Sequence, residues 1–159
     1  MKFNLLDKIE HLDDTKIVAI KSVSLAEEYL ADHFPKFPVL PGVMMLEAIT
    51  QAAGWLMHHR TDFAKSMAVL KAARNVRYGT FVSPGNSLVV EVEFIKLTGH
   101  GAAFKATSTV KGETAISGRI EIAYFDLGDR TGLHDIDDRI KAHARARWDV
   151  LRIHSPVLI

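Results

Sequence analysis

One stretch of this chain, residues 32–55, limits the possible folds more than any other. It begins with three prolines within seven residues, Pro35, Pro38 and Pro41, which fix the backbone φ angle and keep the preceding residues out of the helical region. Residues 43–57 then include eleven apolar residues of fifteen, and these cover every side of a helical wheel. A helix that is apolar on all sides is a buried helix, and this one is too short to span a bilayer. The sequence therefore predicts an extended segment that leads into a central, buried helix.

Three groups along this stretch suggest chemistry. Glu47 lies near the middle of the predicted helix, His33 precedes its start, and Gly42 opens its first turn. A carboxylate inside a core is costly without a partner, and histidine can accept a proton near neutral pH. The unbonded N–H groups of a helix start attract an oxygen that gains negative charge. Together they suggest chemistry beside a polarised carbonyl; the alternative is that His33 caps local backbone and Glu47 pairs with a buried arginine.

The segment HFPKFPVLPGVMMLEAITQA closely resembles the signature of the FabZ-type 3-hydroxyacyl-acyl-carrier-protein dehydratases, for which the usual pattern is GHFPGxPVxPGVLxxEAxAQ. His33 and Glu47 keep the family's interval of fourteen positions. The resemblance extends to KSVS before the signature and to VRYGTFVSPGNSLVVEVE after it, so that it covers roughly residues 4–125. It implies an α+β fold in which one curved antiparallel sheet wraps around a central buried helix, the hotdog fold.

Four features of the chain depart from the family pattern. Asp32 and Lys36 replace two glycines, and Asn86 replaces the aspartate of the family's PGD turn. The segment from Asp126 onward extends beyond the usual end of the family. None of these departures removes an expected catalytic group, so they concern acyl-chain length and partner contacts more than the reaction.

The resemblance also implies roles for individual residues. His33 would remove a proton from C2 of a 3-hydroxyacyl thioester, and Glu47 would protonate the departing C3 hydroxyl. The Gly42 amide would hold the thioester oxygen, and Gln51, one turn beyond Glu47, is expected to orient that carboxylate or to bond across the helix interface. Residues such as Phe37 and Met44 would line the acyl tunnel, although generic core packing is an equally simple role for each.

The same resemblance implies the partners. The substrate would be carried on the phosphopantetheine of acyl carrier protein in fatty-acid synthesis, and the reaction would need no metal, flavin or nucleotide. The two catalytic side chains would come from different subunits, which makes a homodimer the minimum active unit and a trimer of dimers a further possible assembly. Three cations, Lys71, Arg74 and Arg77, are candidates for contact with the acidic carrier protein.

Two other classes of function fit parts of the pattern. A hotdog thioesterase would use the helix carboxylate with water, release free thiol and have little need for His33. A non-catalytic acyl-binding or scaffold subunit would keep the fold and lose the His33 and Glu47 pair, which this chain retains. Related enzymes that also isomerise the product carry aspartate at the helix position, so Glu47 favours dehydration alone.

Composition excludes several classes of protein. The chain has 159 residues, a net charge of +1 and no cysteine, which argues against nucleic-acid or membrane partners and excludes disulfides and thiolate chemistry. The adjacent histidines His58 and His59 lack useful metal-ligand geometry, and no metal site is expected. The first fourteen residues contain no apolar run typical of a signal peptide, so a cytoplasmic location is expected.

The remaining pattern predicts the other elements. Residues 3–10 have a short helical pattern, 16–23 alternate as a strand, and Ser24 with Glu27 forms a capping box for a short helix. Strands are expected over 88–95, 104–111 and 116–124, separated by turns. Residues 67–77 fit a helix or a strand by periodicity, and the family resemblance implies a strand.

The final segment differs in character. We expect residues 1–125 to form the hotdog domain and residues 126–159 to form a helical extension packed on it. Residues 135–151 place an apolar stripe on one face of a helix, and a lone helix cannot bury such a stripe. The arginines of this segment are expected on its solvated face, namely Arg139, Arg145, Arg147 and Arg152. The apolar end, from Pro156 to Ile159, would dock on the body or fray.

Overall fold

The computed structural model describes residues 3–152, and the elements follow the chain in a simple order. Six strands, two α-helices of eighteen or more residues, one short α-helix and one 3-10 turn make up the structure. The elements are β1 (Lys8–Leu12), β2 (Lys16–Ser22), a 3-10 turn (Glu28–Leu30), α1 (Gly42–Thr61), β3 (Met67–Tyr78), β4 (Ser87–Thr98), β5 (Gly101–Val110), β6 (Glu113–Phe125), α2 (Gly128–Thr131) and α3 (Asp135–Arg152).

The strands form one antiparallel sheet in the order β1-β2-β4-β5-β6-β3. Helix α1 packs against β2, β3, β4, β5 and β6, so the sheet curves around it. This arrangement confirms the predicted hotdog fold. Strands β1 and β3 lie at the two edges of the sheet within the described residues.

Helix α1 is central because its sequence leaves no polar side to face water. Buried residues occur on all sides of it, among them Met45, Ala48, Gly54 and Met57. The helix ends where Asp62 adopts the left-handed conformation, with φ of 48°, and its N–H group donates to the carbonyls of the last turn. The predicted helix of residues 43–57 is thus confirmed, with one further turn at its C-terminal end.

The strands follow the period of two that the sequence indicated. In β5, Phe104, Ala106, Ser108 and Val110 are buried, while the residues between them face outward to differing extents. Successive side chains of a strand point to opposite faces of the sheet, so buried and outward-facing residues alternate along the sequence. This alternation could therefore be identified without the structure.

The short helix predicted over residues 3–10 is wrong. Residues 3–7 are not helical, and β1 begins at Lys8. The Asp7 N–H donates to the Ile20 carbonyl at 2.8 Å, and Lys8 pairs with Ile20, so this segment bonds to β2. Leu5, Leu6 and Ile9 are buried as the helical pattern suggested, but they reach the core from extended backbone.

The predicted C-terminal helix is present as α3, and it packs on the sheet and on α1. Trp148 and Leu151 are only 7% and 1% exposed and belong to the same buried cluster as α1. Buried Asp137 accepts the Leu127 and Gly128 N–H groups at 2.8 and 3.0 Å, which ties α3 to the short helix α2. Domain division at residue 126 stays a prediction, and residues 153–159, with the predicted docking or fraying of the end, lie outside the described residues.

Neither long helix within residues 3–152 has the length and continuous apolarity that a bilayer crossing requires.

Candidate active site

His33 lies in the proline-rich loop, and its ring is fixed by a backbone carbonyl. The distance from His33 Nδ1 to the Val39 oxygen is 2.9 Å, and the Val39 N–H donates back to the His33 carbonyl at 3.0 Å. Val39 and Leu40 are buried, so the far end of the loop is anchored in the core. A carbonyl oxygen can only accept, so Nδ1 carries the hydrogen, and the neutral ring keeps Nε2 as its proton acceptor. The loop therefore sets the tautomer that a general base requires.

The start of α1 borders the same cavity as His33. This cavity has a volume of about 270 Å³, and its lining includes His33, Gly42, Met45, Tyr78 and Phe81. The Pro41 carbonyl accepts the N–H groups of Met44 and Met45 at 2.9 and 3.2 Å, which makes Gly42 the first residue of the helix. The N–H groups of a first turn precede the intrahelical bonds and can donate to a ligand.

The lack of a side chain at Gly42 allows close packing at the helix start. A Cβ atom added to Gly42 would lie 2.7 Å from Cε1 of Tyr78, closer than real Cβ contacts allow. The absence of a side chain lets Tyr78 pack against the helix start, and it leaves the backbone accessible from the cavity.

Glu47 lies one and a half turns further along α1 and is half-buried, not deeply buried as the sequence suggested. Its Oε1 atom accepts a hydrogen bond of 2.9 Å from Nε2 of Gln51. The Gln51 side chain is itself held by the N-terminal segment: its Oε1 accepts the Leu5 N–H at 3.0 Å, and its Nε2 donates to the Phe3 carbonyl at 2.7 Å. Gln51 therefore contacts Glu47, which is the contact needed if Gln51 is to orient that carboxylate.

Glu47 and His33 do not share a cavity within one chain. Glu47 borders a separate cavity of about 290 Å³, and none of the residues that line this cavity lines the His33 cavity. Gly42 lies with His33, and Gln51 lies with Glu47. The single chain thus contains two half-sites at different positions along α1.

The two predicted tunnel residues lie outside both cavities. Phe37 is 56% exposed and contacts the ring of Phe81 edge-on, with 5.8 Å between the ring centres. Met44 is half-buried and packs against the core. Neither residue lines the His33 cavity or the Glu47 cavity in the single chain.

Sequence reasoning missed the contribution of α3 to the Glu47 cavity. Arg147 and Leu151 of α3 line it, together with His58 at the end of α1. The prediction that Arg147 lies on a solvated face is wrong, because it is half-buried and its Nη2 donates to the Leu6 carbonyl at 3.0 Å. Arg147 lies three residues after Ala144 and four before Leu151, both in the apolar stripe, and this spacing was the available signal.

Burial lowers the pKa of one residue that lines this cavity, His58. His58 is 7% exposed and is stacked on Phe63 with 4.8 Å between the ring centres. Burial, with a smaller contribution from the positive charge of Arg145, lowers the pKa of His58 to about 4. His58 is therefore neutral near pH 7, and its Nδ1 lies 3.1 Å from the Tyr124 hydroxyl.

Nowhere in residues 3–152 do three or more histidine or acidic side chains form a group that could hold a metal ion.

Solved structures with the same architecture define the fold class. The dehydratase heterocomplex ApeI:P from Xenorhabdus doucetiae superposes with a TM-score of 0.68 at 19% identity, covering 82% of this chain and 89% of that one. A hypothetical thioesterase from Streptococcus pneumoniae TIGR4 superposes with a TM-score of 0.58 at 12% identity, covering 75% and 85% of the two chains. At these identities the likeness shows the hotdog fold alone.

Sequence comparison assigns the family. The profile of the FabA-like domain matches residues 1–119. The chain is 40% identical over 121 residues to the 3-hydroxyacyl-acyl-carrier-protein dehydratase FabZ of Clostridium perfringens strain SM101, covering 76% of this chain and 87% of that protein. It is 38% identical to FabZ of Lactococcus lactis subsp. cremoris strain SK11, covering 76% and 84%. The chain belongs to the FabA-like family and, within it, to the FabZ-type dehydratases.

Proposed function

We propose that this protein dehydrates 3-hydroxyacyl-acyl-carrier-protein to trans-2-enoyl-acyl-carrier-protein in fatty-acid synthesis. The observation that carries the proposal is the fixed tautomer of His33, which leaves Nε2 as a base in the cavity that the start of α1 also borders. A general base beside a helix start suits abstraction of a proton next to a polarised carbonyl.

The proposed reaction breaks two bonds of the substrate and forms one double bond. His33 Nε2 takes the proton from C2, and negative charge moves to the thioester oxygen, which accepts from the Gly42 N–H. The electron pair then forms the C2–C3 double bond while the C3–O bond breaks. The hydroxyl leaves as water with a proton from Glu47, whose carboxylate the Gln51 amide holds in place. The chemistry we propose uses only these groups of the protein and no metal or organic cofactor.

We propose that a homodimer is the minimum active unit, because the two half-sites lie apart in one chain. Glu47 of the partner subunit would complete the His33 cavity. Several large apolar side chains near this cavity are more than half exposed, namely Phe34, Phe37, Val43, Tyr78 and Phe81. An exposed apolar patch of this kind is typical of a subunit interface, and it would place Phe37 against the acyl chain. A trimer of dimers is a further assembly that we propose on the family resemblance.

A basic row on the outer face of the sheet supports a carrier-protein surface. Lys105, Arg119 and Arg74 are directly opposite one another on β5, β6 and β3, and all three are exposed. Like charges in opposed positions reduce the stability of a sheet, and an acidic partner would relieve this repulsion. Lys105 also lies 3.8 Å from Glu93, and Lys71, outside the row, pairs with Glu121 at 2.9 Å. We propose that the acyl carrier protein docks on this row and on the neighbouring Arg77.

One assay separates the dehydratase from the alternative thioesterase. Purified protein is mixed with enoyl-acyl-carrier-proteins of several chain lengths, and hydration of the conjugated double bond and release of free thiol are followed in parallel. We expect hydration without thiol release, and we expect His33→Ala and Glu47→Gln each to reduce hydration by roughly 10²- to 10⁴-fold.

The controls for this assay are His11→Ala and Glu28→Gln, which change the same residue types at exposed positions. Thiol release that exceeds hydration in the wild type would favour the thioesterase. Near wild-type hydration by either active-site variant, with normal assembly, would remove that residue from the mechanism.

A further inference from the structure

The N-terminal segment, residues 3–6, connects the carboxylate of Glu47 to the C-terminal helix. On one side, the Phe3 carbonyl and the Leu5 N–H bind the two ends of the Gln51 amide, at 2.7 and 3.0 Å. The same amide donates to Glu47 Oε1 at 2.9 Å. Since an amide with three fixed bonds cannot rotate freely, the position of this segment sets the direction from which Glu47 is held.

On its other side, the segment is held by α3. Arg147 Nη2 donates to the Leu6 carbonyl at 3.0 Å, one residue beyond the amide of Leu5 that binds Gln51. Leu6 itself is only 1% exposed. The segment has no regular secondary structure before Lys8. The Leu6 carbonyl belongs to the same peptide group as the Asp7 N–H, which donates to the Ile20 carbonyl at 2.8 Å, so Arg147 and β2 hold this peptide group from its two sides.

The Arg147 side chain is well placed for such a role. Its neighbours Trp148 and Leu151 anchor this part of α3 in the core. Arg147 is half-buried and borders the Glu47 cavity, as does Leu6. A hydrogen bond from a charged donor is stronger than one between neutral groups, and its strength increases where water is partly excluded.

We propose that Arg147 is a positioning residue for dehydration, which acts on Glu47 through Leu6, the N-terminal segment and Gln51. This inference rests on the proposed function, in which Glu47 is the general acid. It assigns a catalytic contribution to α3, which lies beyond the usual end of the family. Loss of the Arg147 bond would let residues 3–6 shift, and Gln51 would then hold Glu47 less firmly toward the leaving hydroxyl. A small displacement of a catalytic group lowers the reaction rate strongly.

The test compares Arg147→Met with Arg139→Met. Arg139 is exposed on the same helix, and no hydrogen bond or ion pair to another described residue is seen for it. We expect Arg147→Met to lower kcat about tenfold with KM nearly unchanged, and Arg139→Met to leave both constants unchanged. Arg147→Lys keeps the charge and one donor to the Leu6 carbonyl, so it should recover part of kcat.

Two further measurements distinguish positioning from other roles. Hydrogen exchange at the Leu5 amide should become faster in Arg147→Met and not in Arg139→Met, a readout that needs no substrate. In a Gln51→Ala background the connection to Glu47 is already cut, so adding Arg147→Met should lower kcat no further.

Each contrary outcome is informative. An increase in KM without loss of kcat would show that Arg147 binds substrate directly and would overturn the proposal. A full additional loss of kcat in the Gln51→Ala background, or unchanged exchange at Leu5, would overturn it as well. If Arg147→Met does not fold, Arg147→Lys decides, since wild-type kcat with faster Leu5 exchange would contradict the coupling. A wild-type protein without hydration activity would refute the proposed function instead, and the exchange measurement would still report on the contact.

Discussion

The two half-sites of this protein differ in how they are built. The His33 cavity is formed by a proline-rich loop, a helix start and exposed aromatic side chains, and the functional groups that we propose for it are a ring nitrogen and a backbone amide. The Glu47 cavity is formed by side chains from α1, β3 and α3 and by the N-terminal segment. Its carboxylate is held by a sequence of hydrogen bonds that ends on Arg147.

This difference indicates on which side of the molecule a second subunit would bury apolar surface. Oε1 of Glu47 accepts a hydrogen bond from Gln51 of the same chain, whereas the apolar patch near His33 remains exposed in one chain. Burial of apolar surface favours association, so the exposed apolar patch makes the His33 side the candidate for contact with a second subunit. We infer that assembly brings Glu47 of one subunit to the His33 cavity of the other, and that α3 helps to hold Glu47 within its own chain.

The largest effect should come from mixing two inactive variants. Subunits with His33→Ala and subunits with Glu47→Gln should form heterodimers in which one site has both groups, and random exchange predicts about a quarter of wild-type hydration. Subunit exchange is confirmed by mass. Mixing His33→Ala with the double variant is the control, because no intact site can form. Confirmed heterodimers that stay inactive would show that each site is built within one chain.

A second prediction concerns the anchor of α3. Trp148→Ala removes a ring that contacts Trp55 and Phe63, with ring centres 5.7 and 5.8 Å away. We expect the free energy of unfolding to fall by about 3 kcal/mol, as for other buried aromatic residues. Urea unfolding checks this result, with Val150→Ala as the control because Val150 is half exposed on the same helix. Equal stability of the two variants would mean that α3 contributes little to the core.

A third prediction uses the neutral, buried His58. Its pKa is lowered from 6.5 to about 4, so between these values the unfolded chain binds a proton that the folded chain does not. Stability should therefore fall as pH decreases from 6.5 toward 4, by roughly 3 kcal/mol from this group. His58→Gln should have a flatter dependence over this range. Parallel curves for the wild type and the variant, from urea unfolding at several pH values, would contradict the assignment.

The smallest effect concerns the start of α1. Gly42→Ala places a Cβ atom where Tyr78 packs, 2.7 Å from its ring, and narrows the approach to the first-turn amides. We expect kcat/KM to fall about tenfold while the helix stays intact, since alanine favours helices. Gly99→Ala is the control, because an added Cβ there meets nothing within 4 Å. Unchanged kcat/KM in Gly42→Ala would refute the close-approach argument on the His33 side.

Local pattern was sufficient for most of the fold. Apolarity on all sides identified α1, and alternation identified strands such as β5, because both signals arise from neighbours within a few residues. The same patterns misassigned residues 3–10: Leu5, Leu6 and Ile9 are buried as a helix would bury them, yet the backbone bonds to β2. Sequence spacing cannot distinguish a short amphipathic helix from an extended segment that a distant strand recruits.

The sequence by itself determined the family, the hotdog fold, the interval between His33 and Glu47, and the presence of α3. These depend on local propensity and on a motif of consecutive residues. Only the tertiary structure decided that His33 and Glu47 occupy separate cavities, that Gln51 is held by residues 3 and 5, and that Arg147 reaches Leu6 across 141 positions of the chain. The physical reason is that hydrogen bonds between distant residues have no periodic trace in the sequence, because each depends on where several packed elements bring two polar atoms together.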